Sequence, residues 1–246
     1  MRWDRSSGVL DVLEMIIAYV PARGGSKEIL RKNLIRVGGE SLVERTIRAS
    51  LESKLIDTTW VSTEDSEILE LAARSGAESS YRRPGHLAED ESSIVDGLIH
   101  FLDWLTAERL IKPEAVVVLR PTSPFRDGAL LDEALRRFIK LGVPSMFSVS
   151  RVRQHPREMI KWSHGSQEWS QLSGWPHTRG QRQSYESDLF FINGSIFVVE
   201  PDFVREHKTF VSQGLSEPFE IPEEYAFEID SSLDLMLARH ISRGTK

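Results

Sequence analysis

Short apolar or β-branched runs recur at Met15 to Val20, Thr58 to Thr63, Ala115 to Arg120, Ser145 to Val149, Ile192 to Val199 and Tyr225 to Ile229. Their length and composition predict strands. Segments with helical spacing lie between several of them. After Ser41, the run LVERTIRASLES puts Leu42, Ile47 and Leu51 toward one side, and Ser41 with Glu44 makes a capping box. Asp65 is placed to cap a helix carrying Ile68, Leu71 and Ala72. Ser92 or Ser93 is placed to cap one with the stripe Val95, Leu98, Ile99, Leu102 and Leu105, and Asp127 one with Leu130, Leu131, Ala134, Leu135, Phe138 and Ile139. Ser231 and Asp234 open a closing helix that contains Leu233, Leu237 and Ile241. This alternation predicts an α/β protein with a mainly parallel sheet. From Arg151 to Asp188 the pattern dissolves into Gly, Ser, Gln and His around Trp162, Trp169 and Trp175. That stretch, roughly residues 150–190, reads as an excursion from the sheet that covers a neighbour or a partner subunit.

At 246 residues with 40% hydrophobic content, the chain fits one large α/β domain with a substantial core. Residues 1–14, MRWDRSSGVLDVLE, carry acids and lack a continuous apolar core. They read as an N-terminal extension ahead of a domain at 15–246, with Met15 a candidate native start, and not as a secretory signal. No apolar run approaches the ~20 residues needed to cross a bilayer, so the expectation is a cytoplasmic protein with no membrane partner. The absence of cysteine excludes disulfides, thiolate metal sites and cysteine nucleophiles. A net charge of −6 disfavours a nucleic-acid partner and makes any local basic cluster conspicuous.

One such cluster is VPARGGSKEILRKN, Val20 to Asn33, where an apolar run ends in a glycine turn flanked by Arg23, Lys27, Arg31 and Lys32. Glycines let phosphate oxygens approach backbone N–H groups, and the cations neutralise the charge held there. The order Gly24, Gly25, Ser26, Lys27 is neither a Walker loop nor GxGxxG, so on its own the turn suits a nucleoside triphosphate or is a solvated surface loop. Thr122 to Pro124, between Arg120 and Arg126, follows a strongly apolar strand and so lies at a carboxyl end, where open α/β sheets place ligands. Glu228 and Asp230 stand two apart on an expected strand, which puts both carboxylates on one face. His164 and His177 have no metal-ligand spacing with each other.

These stretches resemble the signature of the CMP-sialic acid synthetases, the acylneuraminate cytidylyltransferases. Pro21, Ala22, Arg23, Ser26, Lys27, Lys32 and Asn33 match the pattern PARxxSKGxxxKN. VSTED at Val61 to Asp65, RRPGHLAEDESS at Arg82 to Ser93 and LRPTSPFR at Leu119 to Arg126 are similar to the family's VSTDD, RPxxLAxDxxSS and LQPTSPLR. The His155-Pro156 pair, Arg182-Gln183, NGSIFV from Asn193 and FEIDSSLDL from Phe227 follow in the family's order.

The resemblance implies a three-layer Rossmann-like nucleotide-diphospho-sugar transferase fold that works as a homodimer. It also implies a reaction in which CTP is coupled to an acidic nine-carbon sugar, giving the CMP-sugar and pyrophosphate by in-line attack of the sugar C2 hydroxyl on the α-phosphorus. Carried over by position, Arg23, Lys27 and Asp230 are the catalytic candidates. Nucleotide would be held by Arg23, Ser26, Lys27, Lys32, Asn33, Arg83 and Ser93. The sugar would be held by Arg120, Thr122, Arg126, Arg182, Gln183, Phe191 and Asn193, and Mg²⁺ by Glu228 and Asp230. Glu28, Leu30, Glu64, Arg120 and Glu228 replace the family's Gly, Pro, Asp, Gln and Asp. Glu228 therefore either reaches a metal or turns into a salt bridge, and Arg120 either faces the sugar acid or is a strand-end arginine in water. These departures leave two other readings open: a nucleotide-binding partner module with weakened catalysis, and a nucleotidyltransferase for another acidic sugar.

Overall fold

The computed structural model of the protein describes residues 15–26, 28–172 and 188–244. The N-terminal extension, Lys27, Trp175, Arg182 and Gln183 lie outside the described residues.

The first strand, β1 (Ile16–Pro21), runs into the basic turn, and a short hairpin of β2 (Arg36–Val37) and β3 (Glu40–Ser41) leads to α1 (Leu42–Leu51). β4 (Thr58–Ser62), α2 (Ser66–Arg74), α3 (Ile94–Arg109), β5 (Ala115–Val118), α4 (Gly128–Leu141) and β6 (Ser145–Arg151) continue the alternation. The excursion contributes the hairpin β7 (Ile160–Ser163) and β8 (Glu168–Gln171). The chain then returns through β9 (Phe190–Val199), α5 (Pro201–His207), β10 (Ser216–Glu220) and α6 (Ser232–Gly244).

The main sheet has six strands in the order β10-β6-β9-β5-β1-β4. β1 pairs in parallel with β4 and β5, and β10 with β6, whereas β9 is antiparallel to both β5 and β6. Because β1 meets β4 on one side and β5 on the other, the strand order reverses beside its carboxyl end, the position where such sheets leave a crevice.

Alternation along the central strands builds three layers. Ile16, Ala18, Val20 and Val117 face a core that includes Ile47, Ile68, Leu131 and Phe138 from α1, α2 and α4. Ile17, Tyr19, Val116 and Val118 face the opposite core, which includes Leu98, Phe101 and Leu105 of α3 and Phe203 of α5. With both faces covered, the central strands read as continuous apolar runs.

The expected caps form. Ser41 and Glu44 make the reciprocal box, with bonds of 2.7 and 3.2 Å. Asp65, Ser93 and Asp127 accept from the first turns of α2, α3 and α4.

The structure corrects several expectations. Tyr225 to Ile229 is a turn followed by irregular chain, not a strand; the Ile229 N–H donates to the Thr122 carbonyl at 2.8 Å outside any ladder. The edge strand at the end of the chain is β10, SEPFE, whose proline and two glutamates conceal it from an apolar-run criterion. β9 begins at Phe190, two residues before the predicted start. Leu51 is exposed. The stripe assigned to α6 is also exposed, with Leu233 at 62% and Leu237 at 46%. The helix docks instead through Ala238 and Leu235, against the cluster of Ile29, Val37, Leu42 and Ile229.

Candidate functional site

A cleft of about 520 Å³ opens at the carboxyl end of β1, lined from β1's basic turn, the approach to α3, the turn after β5 and the run before α6. Each wall follows from local structure. Beyond Pro21, the Ala22 N–H continues the parallel pairing by donating to Ser62 O at 3.0 Å. The chain then turns over Asp65, where a Cβ on Gly24 would stand 2.6 Å from the Asp65 carboxylate, so only glycine fits. The Gly24 N–H donates to Glu64 Oε1 at 2.8 Å. Asn33 Nδ2 donates to the Arg23 carbonyl at 2.8 Å and pins the far end of the turn. On the opposite side, Ser93 caps α3, whose N-terminus borders the cleft.

Cations gather on these walls. Arg83, 7% exposed, donates Nε to Ser62 Oγ at 2.9 Å and Nη2 to the Ser62 carbonyl at 2.7 Å. It has no ion pair among the described residues, so a buried guanidinium lines the cleft without a counter-charge. Tyr19, whose hydroxyl bonds the same Ser62 at 3.0 Å, has its pKa raised by burial against the opposing pull of Arg83. Arg23 Nη1 reaches Asp90 at 2.7 Å and the Glu89 carbonyl at 3.2 Å.

The two carboxylates stand on the same cleft wall because the buried Ile229 separates them. Each meets a cation. Lys32 Nζ lies 3.0 Å from Asp230 Oδ1, and Arg120 Nη2 lies 2.9 Å from Glu228 Oε1. Thr122 Oγ1 donates to the same Glu228 oxygen at 2.9 Å. Among the described residues no group of three or more histidine or acidic side chains forms a metal cluster. A pair of carboxylates on an open cleft nevertheless fits a hard cation that takes its other ligands from phosphate and water.

A cytidylyltransferase family model matches residues 17–161. The chain belongs to the cytidylyltransferase family. It is 30% identical over 226 residues to N-acylneuraminate cytidylyltransferase A of Danio rerio, a match that covers 91% of this chain and 50% of that relative. The chain thus spans about half the length of that protein. It is 28% identical over 228 residues to the CMP-N,N'-diacetyllegionaminic acid synthase of Legionella pneumophila, covering 92% of this chain and 95% of the relative. A solved structure of a CMP:2-keto-3-deoxy-manno-octonic acid synthetase complexed with CTP superposes with a TM-score of 0.68 at 13% identity, covering 95% of this chain and 100% of that one. That likeness shows the Rossmann-like nucleotidyltransferase fold.

In this chain the cleft brings together Arg23, Ser26, Lys32, Asn33, Arg83, Ser93, Arg120, Thr122, Glu228 and Asp230. Three expected sugar residues are elsewhere. Arg126 is buried behind the turn, donating to Ser195 O (2.6 Å), Arg120 O (2.5 Å) and Thr46 Oγ1 (3.2 Å). Burial and the neighbouring Arg120 pull its guanidinium down to about 9, against the charge of Glu228. Asn193 is buried, its Oδ1 accepting from Ser148 Oγ and the Ser195 N–H. Phe191 is exposed and does not line the cleft. Arg120 is no solvated arginine, being fixed on Glu228 and on β9. Glu28 lies exposed on the cleft wall.

Sequence reasoning passed over Glu64, Asp90 and Gly194 as working parts. The signal for the first two lay inside VSTED and LAED, but only coordinates show that Glu64 reaches a backbone N–H and Asp90 an arginine.

Proposed function

We propose that this protein couples CTP to a nonulosonic, sialic-acid-like sugar, forming the CMP-sugar and pyrophosphate. The observation that carries the proposal is the convergence in one cleft of Arg23, Lys32 and the uncompensated Arg83 with the carboxylates Glu228 and Asp230. A triphosphate supplies the negative charge that Arg83 lacks and adds to the acids already beside Arg23 and Lys32. Arg23, Ser26, Lys27 and Lys32 would hold the phosphates, and Asn33, Arg83 and Ser93 the rest of the nucleotide. The sugar would sit over Arg120 and Thr122.

In the reaction, the sugar C2 oxygen forms a bond to the α-phosphorus as the bond between that phosphorus and the α–β bridging oxygen breaks. Pyrophosphate leaves opposite the attacking atom, and the hydroxyl proton passes to solvent. Positioning two anions in line and neutralising the departing charge are the protein's contributions. Mg²⁺, held by Asp230 and Glu228 when bound, would supply further neutralisation of the phosphates and polarise the attacking hydroxyl. Among the described residues no histidine lines the cleft, so proton removal is not assigned to one.

Two similar proteins are an N-acylneuraminate cytidylyltransferase and a CMP-N,N'-diacetyllegionaminic acid synthase; a third, 25% identical over 228 residues and covering 91% of this chain and 94% of the relative, is a pseudaminic acid cytidylyltransferase of Campylobacter jejuni. They support an acidic nine-carbon sugar as acceptor. We further propose a cytoplasmic homodimer. No helix among the described residues is long and apolar enough to cross a membrane, and exposed Ile160, Trp162 and Trp169 on the β7–β8 hairpin supply an apolar surface for a second copy.

One observation favours a competing reading, a nucleotide-binding partner with lost turnover: both carboxylates are already paired with cations. The deciding experiment offers CTP and Mg²⁺ with N-acetylneuraminate, N,N'-diacetyllegionaminate and pseudaminate in turn, and follows pyrophosphate release beside calorimetric CTP binding. Turnover with one acid is expected. Tight CTP binding with no pyrophosphate from any acid would overturn the proposal in favour of the partner module.

A further inference from the structure

Arg120 is held more firmly than a substrate-facing side chain needs to be. Its Nε donates to Gly194 O at 3.0 Å and its Nη2 to Asn193 O at 3.1 Å, so one edge of the guanidinium is spent on the backbone of β9. Gly194 makes this possible. It adopts φ +65°, and a Cβ there would stand 2.1 Å from Arg120 Nη2. The irregular pairing of β9 with β6 between Phe147 and Val149 lies in the same region, and it admits the arginine against the strand.

The edge that remains is the one between Nη1 and Nη2. A carboxylate binds a guanidinium best across such an edge, through two parallel hydrogen bonds. Glu228 covers only half of it: Oε1 stands 2.9 Å from Nη2, and Nη1 has no partner among the described residues. Oε1 is simultaneously held by Thr122, so Glu228 is shared between the turn and Arg120 instead of gripping the arginine with both oxygens. Behind Arg120 lies Arg126, buried, its Nη2 on the Arg120 carbonyl. Glu228 is the acid whose charge acts on this pair of guanidiniums. If Glu228 turned toward a metal with nothing in its place, two neighbouring cations would lose their counter-charge, at a large desolvated cost. An incoming anion at the free edge removes that cost.

We propose that Arg120 is a specificity-determining residue that exchanges one carboxylate for another: the acidic sugar's carboxylate takes the Nη1/Nη2 edge, and Glu228, released from Arg120, becomes available to the divalent cation beside Asp230. The proposal rests on the reading of this cleft as a cytidylyltransferase site for an acidic sugar. Acid and metal then bind with positive coupling, and by linkage each tightens the other by the same factor. A neutral sugar of the same shape leaves Glu228 on Arg120 and the metal site short of a ligand.

The test uses the full chain with the α,β-methylene analogue of CTP, which cannot be cleaved at the reacting bond. Mn²⁺ binding is titrated by electron paramagnetic resonance with and without the acid that supports turnover in the substrate panel, and with the methyl ester of that acid. In the wild type the acid is expected to tighten Mn²⁺ on the order of tenfold, and the ester to leave it unchanged. Arg120→Gln should abolish the effect of the acid. Glu228→Gln, which keeps Arg120 seated on β9, should also abolish it. Without metal, this second variant should bind the acid more tightly than the wild type does, because the edge is no longer contested. Equal Mn²⁺ affinity with and without acid in a protein that turns over would overturn the inference alone, as would full coupling in either variant. Silence of every acid in the turnover panel would overturn the parent reading and this one with it.

Discussion

Arg83 reaches the cleft wall from a buried position with two of its nitrogens committed to Ser62 and, among the described residues, with no carboxylate in an ion pair with it. A guanidinium can do this because its fork bonds a hydroxyl and a carbonyl on one side while presenting charge on another; an ammonium is a point charge with no such geometry. Arg83→Lys should therefore retain a positive charge yet weaken CTP binding by about 1.5–3 kcal/mol, the worth of hydrogen bonds to a charged group, or about 10- to 150-fold. Calorimetry of the folded variant reads this directly, and an unchanged CTP affinity would remove Arg83 from the nucleotide site. Arg83 was legible as a motif position, RRP before LAED, and its place in the cleft agrees. Arg126 was equally legible in PTSPFR and is turned away from the cleft. Both arginines are nearly buried; what separates them is the direction of the side chain, and a linear motif carries no direction. Asn193 fell to the same limit, since alternate residues of a strand face opposite sides and the left-handed Gly194 beside it disturbs the count.

Elements with strong periodicity and a polar cap could be read from the chain. Ser41, Asp65, Ser93 and Asp127 each precede a helix that they cap. β10 and α5 could not: one has charges at Glu217 and Glu220 with Pro218 between, and the other is seven residues long with Phe203 and Val204 as its buried contacts. α6 is placed by its sequence but its buried face is not, because Ala238 and the partly buried Leu235 join the core there while Leu233 and Leu237 are exposed. Its N-terminus matters to the site. Asp234 Oδ2 accepts from the N–H groups of Ser231 (2.7 Å) and Asp230 (3.1 Å) and from the Ser231 hydroxyl (2.7 Å). Partial burial raises the pKa of this carboxylate, but those bonds and the charge of Lys32 outweigh it and hold Asp234 below the ordinary value. A pKa lower in the folded than in the unfolded chain gives stability that is present above the unfolded value and lost as pH falls through the folded one. Asp234→Ala should cost about 1 kcal/mol, as loss of a helix cap does. In urea titrations the gap from wild type should be full near neutrality and close below the ordinary carboxylate range. A gap that stays constant down to acid pH would show that the carboxylate's charge is not what holds the start of α6.

On the scale of the molecule, the six-stranded sheet accounts for one end of the site, and the excursion beyond β6 accounts for an exposed apolar surface among the described residues. Trp162 and Trp169 face each other across the β7–β8 ladder and are 44% and 54% exposed. Ile160, Leu172 and the first residues of β9, Phe190 to Ile192, are exposed with them. Two-stranded hairpins are marginal alone, and one that carries large aromatic side chains outward gains most by burying them. Aromatic residues cover 150–250 Å² each, so a handful approaches the roughly 800 Å² per partner of a stable interface. A dimer formed there would also brace the strand that holds Arg120, because Phe190 to Ile192 run directly into Asn193 and Gly194. The paired substitution Ile160→Lys, Trp162→Lys is therefore expected to convert a dimer to a monomer in sedimentation velocity at micromolar concentration. The monomer's CTP affinity should be nearly unchanged, since neither residue touches the nucleotide cleft, while turnover falls through the sugar side. A wild-type protein that sediments as a monomer, or a paired variant that remains a dimer, would move the interface away from the excursion. Loss of CTP affinity together with turnover would instead mean that the hairpin supports the whole sheet and not the sugar half of the site.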